Sequence, residues 1–125
     1  MRYSLFLLAA EPEPGQLSEE IMAAGQAAFR KYAHDMHAAG VLVAADILHP
    51  SANATQLTLR AGKVVIQDGP FATTKEQLAG VFIIEVPNLD AALAWAEACP
   101  GAHYGTMEVR PCAVTVRDGV WLRPQ

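Results

Sequence analysis

Three side chains near the middle of the 125-residue sequence have the chemistry for proton transfer: Asp68, Asp46 and His49. Asp68 stands directly before Gly69 and Pro70, a pair that forces a turn and holds the carboxylate where a strand ends. A carboxylate fixed in this way can act as a general base or bind a hydroxyl or amine of a ligand. It can equally accept the backbone N–H groups of its own turn, and both roles remain open for Asp68.

Asp46 and His49 lie close together at the end of an earlier apolar segment. Asp46 interrupts Val41–Leu48, which is otherwise apolar, so burial there would favour the protonated form and make it a proton carrier. A position at the exposed end of a strand would instead leave Asp46 in water. His49 precedes Pro50 and can shuttle a proton near neutral pH, although a single loop histidine is more often structural or solvated.

The segment after Asp68 supplies candidates for substrate binding. Phe71 would form an aromatic plug beside the carboxylate, and Pro70 would fix the turn that carries both. Lys75 can pair with an anionic substrate, although a lysine in an exposed turn ordinarily serves solubility. Together these residues predict a cleft for a small polar or aromatic molecule, with Phe71 in its wall.

The sequence predicts neither a metal nor a cofactor. His34 and His37 have the spacing of two ligands on one helical face, but no third ligand stands nearby in the sequence. Cys99 and Cys112 form no Cys-x-x-Cys motif and are too few for the disulfide framework of a small secreted domain. We therefore expect two reduced thiols in a cytoplasmic protein. The sequence also contains no phosphate loop, dinucleotide fingerprint or nucleophile elbow.

A succession of strands and helices must position these residues. Apolar side chains on both faces of Tyr3–Leu8 and Val81–Val86 are typical of strands in the middle of a sheet. Ser18 predicts the start of a helix that ends before Gly40, and Asn88 predicts the start of a second helix. Further strands are predicted at Val41–Leu48, Thr55–Arg60, Lys63–Gln67 and Thr106–Arg110, and a short hairpin around Asp118-Gly119.

Without the hairpin at 55–67, this order is β-α-β-β-α-β. It is the order of a ferredoxin-like α+β fold, in which two helices cover one face of an antiparallel sheet. The other face of such a sheet is uncovered. Because 52% of the residues are hydrophobic and only 18% are charged, we expect a second copy of the chain to cover that face in a homodimer.

Length and charge exclude other classes of protein. The chain has 13 acidic and nine scattered basic residues with a net charge of −4, so nucleic-acid binding is not expected. The uncharged stretches are far shorter than the roughly 20 residues that cross a membrane, so no membrane association is expected. The length predicts one domain, residues 1–125, in which 111–125 form an edge hairpin or a tail.

A longer pattern surrounds Asp68. The motif Asp68-Gly69-Pro70-Phe71 is followed by Ala72-Thr73-Thr74-Lys75-Glu76-Gln77 and then by a central strand, and in this order it resembles the DGPF-motif branch of the YCII-related family. Further matches are Ala39-Gly40-Val41-Leu42-Val43, Leu48-x-Pro50, Asn88-Leu89-Asp90-Ala91-Ala92 and Glu108-Val109-Arg110-Pro111. The resemblance covers roughly residues 1–111, and it implies a ferredoxin-like domain that forms a dimeric α-β barrel.

The sequence departs from the family pattern in two places. YCII relatives that are enzymes have a proposed acid/base pair, a histidine early in the first helix and an aspartate after the second. Here the two segments read Ser18-Glu19-Glu20-Ile21 and Ala96-Glu97-Ala98-Cys99-Pro100, so that pair does not carry over. Thr73 also stands where the DGPF branch usually has a glutamate, so any role of that carboxylate is lost here.

Two functions remain consistent with these observations. The first is a small cofactor-independent enzyme of the lyase or isomerase type, with Asp68, Asp46 and His49 as acid/base groups in a cleft lined by Phe71. The second is a non-catalytic homodimer that binds a small ligand or a protein partner. DGPF proteins resemble companions of sigma-factor systems, so the resemblance implies a regulatory role for this alternative.

Overall fold

The structure, a computed structural model, describes residues 1–69 and 75–123. Its elements follow the chain as β1 (Arg2–Ala9), α1 (Glu19–Ala38), β2 (Leu42–Ile47), β3 (Thr55–Arg60), β4 (Lys63–Asp68), β5 (Gln77–Glu85), α2 (Leu89–Ala98), β6 (Thr106–Pro111), β7 (Thr115–Arg117) and β8 (Val120–Leu122). Short 3-10 turns lie at Ser51–Asn53 and Pro100–His103. The order of strands, helices and hairpins is the one predicted from the sequence.

Four strands form one antiparallel sheet in the order β2-β5-β1-β6. Its central pair consists of β1 and β5, the two strands predicted to be apolar on both faces. Alternate side chains of β1, from Tyr3 to Ala9, are buried in one core with side chains of α1 and α2. Strand order and a single helix-covered face confirm the predicted ferredoxin-like α+β fold, and the β3–β4 hairpin is its insertion.

The N-terminal cap of α1 is as predicted, but only the second half of the helix packs on the sheet. Ser18 Oγ accepts the N–H of Ile21 at 3.1 Å, while Tyr32 and Met36 are buried. Helical spacing puts Ile21 on the same side of the helix as Tyr32 and Met36 and so predicts that it packs on the sheet, but Ile21 is 57% exposed. A helix of 20 residues is about 30 Å long, whereas the six residues of β2 span about 20 Å, so the first turns extend beyond the strand that α1 contacts.

The β3–β4 hairpin forms a separate two-stranded sheet. Ala61 and Gly62 both have positive φ, +49° and +76°, as the tight two-residue turn of a hairpin requires. Cross-strand pairing places Leu57 opposite Ile66 and Leu59 opposite Val64, so one face of the hairpin is apolar. All four of these side chains are exposed. An isolated hairpin is only marginally stable in water, so we expect another surface to pack against this apolar face.

Tyr32 connects the two helices and predicts a pH dependence of stability. Its hydroxyl donates to the carbonyl of Trp95 at 2.8 Å. Burial raises the pKa of Tyr32 well above the ordinary value of 10.0, and neighbouring Cys99 raises it further. Burial likewise raises the pKa of the Cys99 thiol above 9.0. Both groups therefore keep their protons in the folded chain at pH values at which the unfolded chain loses them.

We expect the stability of the protein to fall in alkali. A folded pKa above the unfolded one gives stability that is complete below the unfolded pKa and lost as the pH rises toward the folded pKa. The free energy of unfolding should decline from about pH 9 through Cys99, and more steeply from about pH 10 through Tyr32. Urea titrations across pH 7–11 measure this decline.

Tyr32→Phe tests the contribution of the hydroxyl. At pH 7 the loss of its hydrogen bond should lower the free energy of unfolding by about 0.5–1.5 kcal/mol. Above pH 10 the variant should decline less steeply than the wild type. Tyr3→Phe is the control at pH 7, since it removes a hydroxyl whose hydrogen bond to the sulfur of Met1 is long, at 3.7 Å, and its loss should cost less. Equal alkaline slopes for Tyr32→Phe and wild type would contradict the assignment.

Candidate functional site

The candidate site is a depression of about 280 Å³ at the end of the sheet where β1 and β2 finish and β5 begins. Leu7, Ile47 and the ring of Phe29 give it largely apolar walls. The polar side chains that line it are His49 and Glu11, together with the phenol of Tyr104 described below. An apolar depression with a few polar groups at one end is the usual form of a small-molecule site.

Two loops, one after β1 and the other after β2, are fixed to each other beside the depression. The Glu11 carboxylate accepts the backbone N–H of Ser51 at 2.6 Å and also accepts the Ser51 hydroxyl. Just after the end of β2, the N–H of Leu48 still donates a hydrogen bond to the carbonyl of Ala79 on β5. Pro50 has no N–H to continue the strand, so the chain leaves the sheet directly after His49.

His49 lies between two depressions. The second, of about 440 Å³, lies on the side of the β3–β4 hairpin and is lined by His49 together with Gln56 and Leu78. His49 is exposed, and within residues 1–69 and 75–123 no hydrogen bond occupies its ring nitrogens. Its imidazole is therefore free to give or take a proton from a molecule bound on either side.

Tyr104 is held against the end of β1 by a tightly packed turn. The 3-10 turn at Pro100–His103 directs it there, and its N–H donates to the carbonyl of Gly101. The next residue, Gly105, lies so close to β1 that an added Cβ would be 2.5 Å from the Leu8 carbonyl oxygen. Desolvation, and to a smaller extent Cys99, raises the pKa of Tyr104, so its hydroxyl remains a hydrogen-bond donor at ordinary pH.

Comparison with known proteins identifies the family. The family model of the YCII-related domain matches residues 4–114. The chain belongs to the YCII-related family. An uncharacterized protein of Rhizobium meliloti (strain 1021) is 40% identical over 98 residues, which cover 77% of this chain and 76% of that protein. The family named from the motif around Asp68 is thereby confirmed.

One general property of this YCII-related domain concerns membranes. In the part of the chain that the structure describes, no helix combines the length and the apolar character needed to cross a membrane.

Asp46 of this YCII-related domain faces away from the depression. In the sheet register it is opposite Val81, while its neighbour Ile47 is opposite Gly80 and lines the depression. Successive side chains of a strand point to opposite faces, so Asp46 is on the helix-free face. Asp46 is exposed there. Of the two positions considered for it, it therefore has the one in water and not the buried one.

Asp68 lies at the base of the β3–β4 hairpin. It is exposed, and its Oδ1 accepts the hydroxyl of Thr55 at 3.4 Å across the hairpin. The N–H of Gly69 donates to the carbonyl of Ala54, which closes the hairpin at the same level. Asp68 therefore has a partner that orders its own hairpin, and it is not among the described residues that line the depression of His49.

The three predicted substrate-binding residues have different outcomes. Pro70 and Phe71 lie outside the described residues. Lys75 is exposed and lines a third depression with Leu8, which shares Tyr104 with the candidate site. Of the three predicted acid/base groups, His49 alone lines the depression, and Asp46 and Asp68 occupy other parts of the molecule.

Sequence reasoning missed two polar residues of the site. Glu11 lies in the proline-rich segment after β1, which looked like a simple loop, and its partner Ser51 is 40 residues away. Tyr104 also looked like an ordinary loop residue. The two glycines on either side of Tyr104, Gly101 and Gly105, were the available signal, because a glycine often marks a position where the chain packs too closely for a Cβ.

Proposed function

We propose that this YCII-related domain is a small cofactor-independent enzyme of the lyase or isomerase type. The observation that supports this is the imidazole of His49 in the wall of an apolar depression of about 280 Å³, where no other described residue is hydrogen-bonded to it. This volume suits one small ring or a short chain.

Each polar residue of the depression has a role in the proposed reaction. An imidazole nitrogen of His49 takes the proton from a C–H bond next to a carbonyl. The electron pair of that bond forms the C=C bond of an enolate, and the π pair of the carbonyl moves to its oxygen. The reaction ends either when His49 returns the proton to a different atom of the enolate, which is an isomerisation, or when the enolate expels a group from the neighbouring carbon, which is an elimination. Tyr104 is the donor that stabilises the resulting oxyanion, since its phenol stays protonated. Glu11 is a positioning residue, because Ser51 engages both of its oxygens and so fixes the turn that follows His49.

The ring opening of 5-nitrobenzisoxazole tests this proposal, because it needs only the removal of one C–H proton by a base. We expect the wild-type chain to accelerate it above free imidazole at equal concentration, and His49→Gln to lower the rate by at least roughly a hundredfold. His37→Gln, an exposed histidine on α1, is the matched control and should retain the full rate. Equal rates for all three proteins would refute a catalytic role of His49.

A non-catalytic ligand-binding role is the second candidate. It is favoured by the arrangement around His49: within the described residues, no carboxylate is hydrogen-bonded to the imidazole to orient it, as catalytic histidines commonly require. In that case the same nitro compound would bind without reacting, and Phe29→Ala would weaken its binding. A regulatory homodimer associated with a sigma-factor system, as the family resemblance implies, would be a function of this kind.

We also propose that the domain works as a homodimer. The chain exposes 9017 Å², whereas a compact monomer of 13.4 kDa exposes about 6,500 Å². The excess resembles the area that a subunit of an obligate dimer buries. The helix-free face of the sheet carries Phe6, Val81 and Ile83, which point away from the core, and the apolar face of the β3–β4 hairpin adds to it. A second copy of the chain would cover both surfaces.

A further inference from the structure

A separate groove, of about 360 Å³, lies at the opposite end of the sheet from His49. It is bounded by the start of β1, the end of β5 and the β7–β8 hairpin. Arg2, Arg117 and Arg123 line it, which places three of the nine basic residues of the chain around one groove. Glu85 is the acidic residue among its described lining residues. The groove is therefore positively charged in a chain whose net charge is −4.

The fold itself brings the three arginines together. The N–H of Cys112 donates to the Arg2 carbonyl at 2.8 Å and so keeps the chain beside β1 after β6 ends. The β7–β8 hairpin then reverses at Asp118 and Gly119, whose φ angles of +51° and +75° suit a tight turn. This reversal returns β8 along β7 and delivers Arg123 to the groove that Arg117 already lines.

Charge pairing leaves two of these guanidinium groups available. Arg2 is largely buried, with 16% of its side chain exposed, and its Nε lies 3.6 Å from a Glu85 carboxylate oxygen. In the described part of the chain, neither Arg117 nor Arg123 has an acidic partner within salt-bridge distance. Guanidinium groups present a planar fork of donors that matches the oxygens of carboxylate and phosphate.

We infer that this groove binds a small anion that carries phosphate or carboxylate groups. Arg117 and Arg123 supply the free donors, and Arg2 supplies a fixed positive charge at the base of the groove. Glu85 opposes the anion and lowers its affinity. This site is separate from the depression of His49, at the other end of β1, and the proposed reaction makes no use of it.

Isothermal titration of the full chain with pyrophosphate and with citrate, at low ionic strength, tests this inference. We expect saturable binding of at least one of them, tighter for pyrophosphate if the groove is made for phosphate and tighter for citrate if it is made for carboxylates. Arg117→Gln combined with Arg123→Gln should weaken the binding by roughly a hundredfold, since each lost charge-assisted hydrogen bond is worth about tenfold.

Two further variants keep the test decisive. Glu85→Gln leaves all three arginines in place and should tighten the binding several-fold, an effect that a damaged fold would not produce. Arg60→Gln removes an exposed charge from the β3–β4 hairpin and should leave the binding constant within about twofold. The inference is overturned if neither anion saturates below about 10 mM, or if Arg60→Gln weakens binding as much as the loss of Arg117 and Arg123.

Discussion

Ile83→Glu is expected to convert a dimer of twice the 13.4 kDa chain mass into a folded monomer. Ile83 lies on central strand β5, opposite Ser4 on one side and Ala44 on the other, on the face turned away from α1 and α2. In a monomer the glutamate would reach water between these small neighbours. Between two stacked sheets its charge would be buried without a partner, which costs several kcal/mol and raises the dimer dissociation constant by at least roughly a hundredfold.

Sedimentation at micromolar concentration measures this change, and circular dichroism verifies that the variant remains folded. Leu93→Glu is the matched control, because Leu93 is an exposed apolar residue on the outer side of α2 and should leave the dimer intact. A wild-type chain that sediments at 13.4 kDa would contradict the proposed dimer. A dimer that both variants leave intact would exclude the helix-free sheet face as its interface.

The elements of the fold could be predicted because local interactions determine them. Ser18 and Asn88 cap the two helices by accepting N–H groups three residues ahead, so each cap depends only on nearby sequence. The turn at Ala61-Gly62 likewise depends on the backbone freedom of its own residues. The apolar side chains on both faces of β1 then predicted that this strand lies in the centre of the sheet.

The orientation of Asp46 could not be predicted, because an irregularity precedes it. The pairing of β2 with β5 shifts register between Leu42 and Ala44. A shift of one residue exchanges the faces of every side chain that follows, so counting alternate residues from the start of the strand gives no reliable face. Which of Asp46 and Ile47 faces α1 is decided by strand pairing that no local pattern reveals.

The candidate site was hidden for a related reason. Its lining comes from five separate parts of the chain, represented by Leu7, Phe29, His49, Ala79 and Tyr104. Their types are ordinary for a core or a loop, and only the ferredoxin-like arrangement of β1, β2 and α1 brings them together. His49 could be singled out because an imidazole can transfer a proton near neutral pH. By contrast, nothing in the sequence near Glu11 indicates that it binds Ser51.

Gly105→Ala should show how closely the fold controls this site. The added Cβ would lie 2.5 Å from the Leu8 carbonyl oxygen and 3.1 Å from Ala9 Cβ. Leu8 belongs to central strand β1, which is bonded on both sides and cannot easily move. We expect the free energy of unfolding to fall by about 1–3 kcal/mol, and the rate with 5-nitrobenzisoxazole to fall because Tyr104 is displaced.

Gly25→Ala is the opposite case on the same chain. Gly25 lies in the exposed half of α1, and an added Cβ there meets nothing within 4 Å, so the helix should gain about 0.5–1 kcal/mol. Urea titration of both variants measures the two changes, which should differ in sign. If Gly105→Ala were as stable as the wild type, β1 could yield to the new methyl group, and the turn before β6 would not be what positions Tyr104. Opposite signs would instead show that the stability change on Gly105→Ala is set by the clash with the rigid centre of the sheet. The change on Gly25→Ala would then be set by backbone entropy alone.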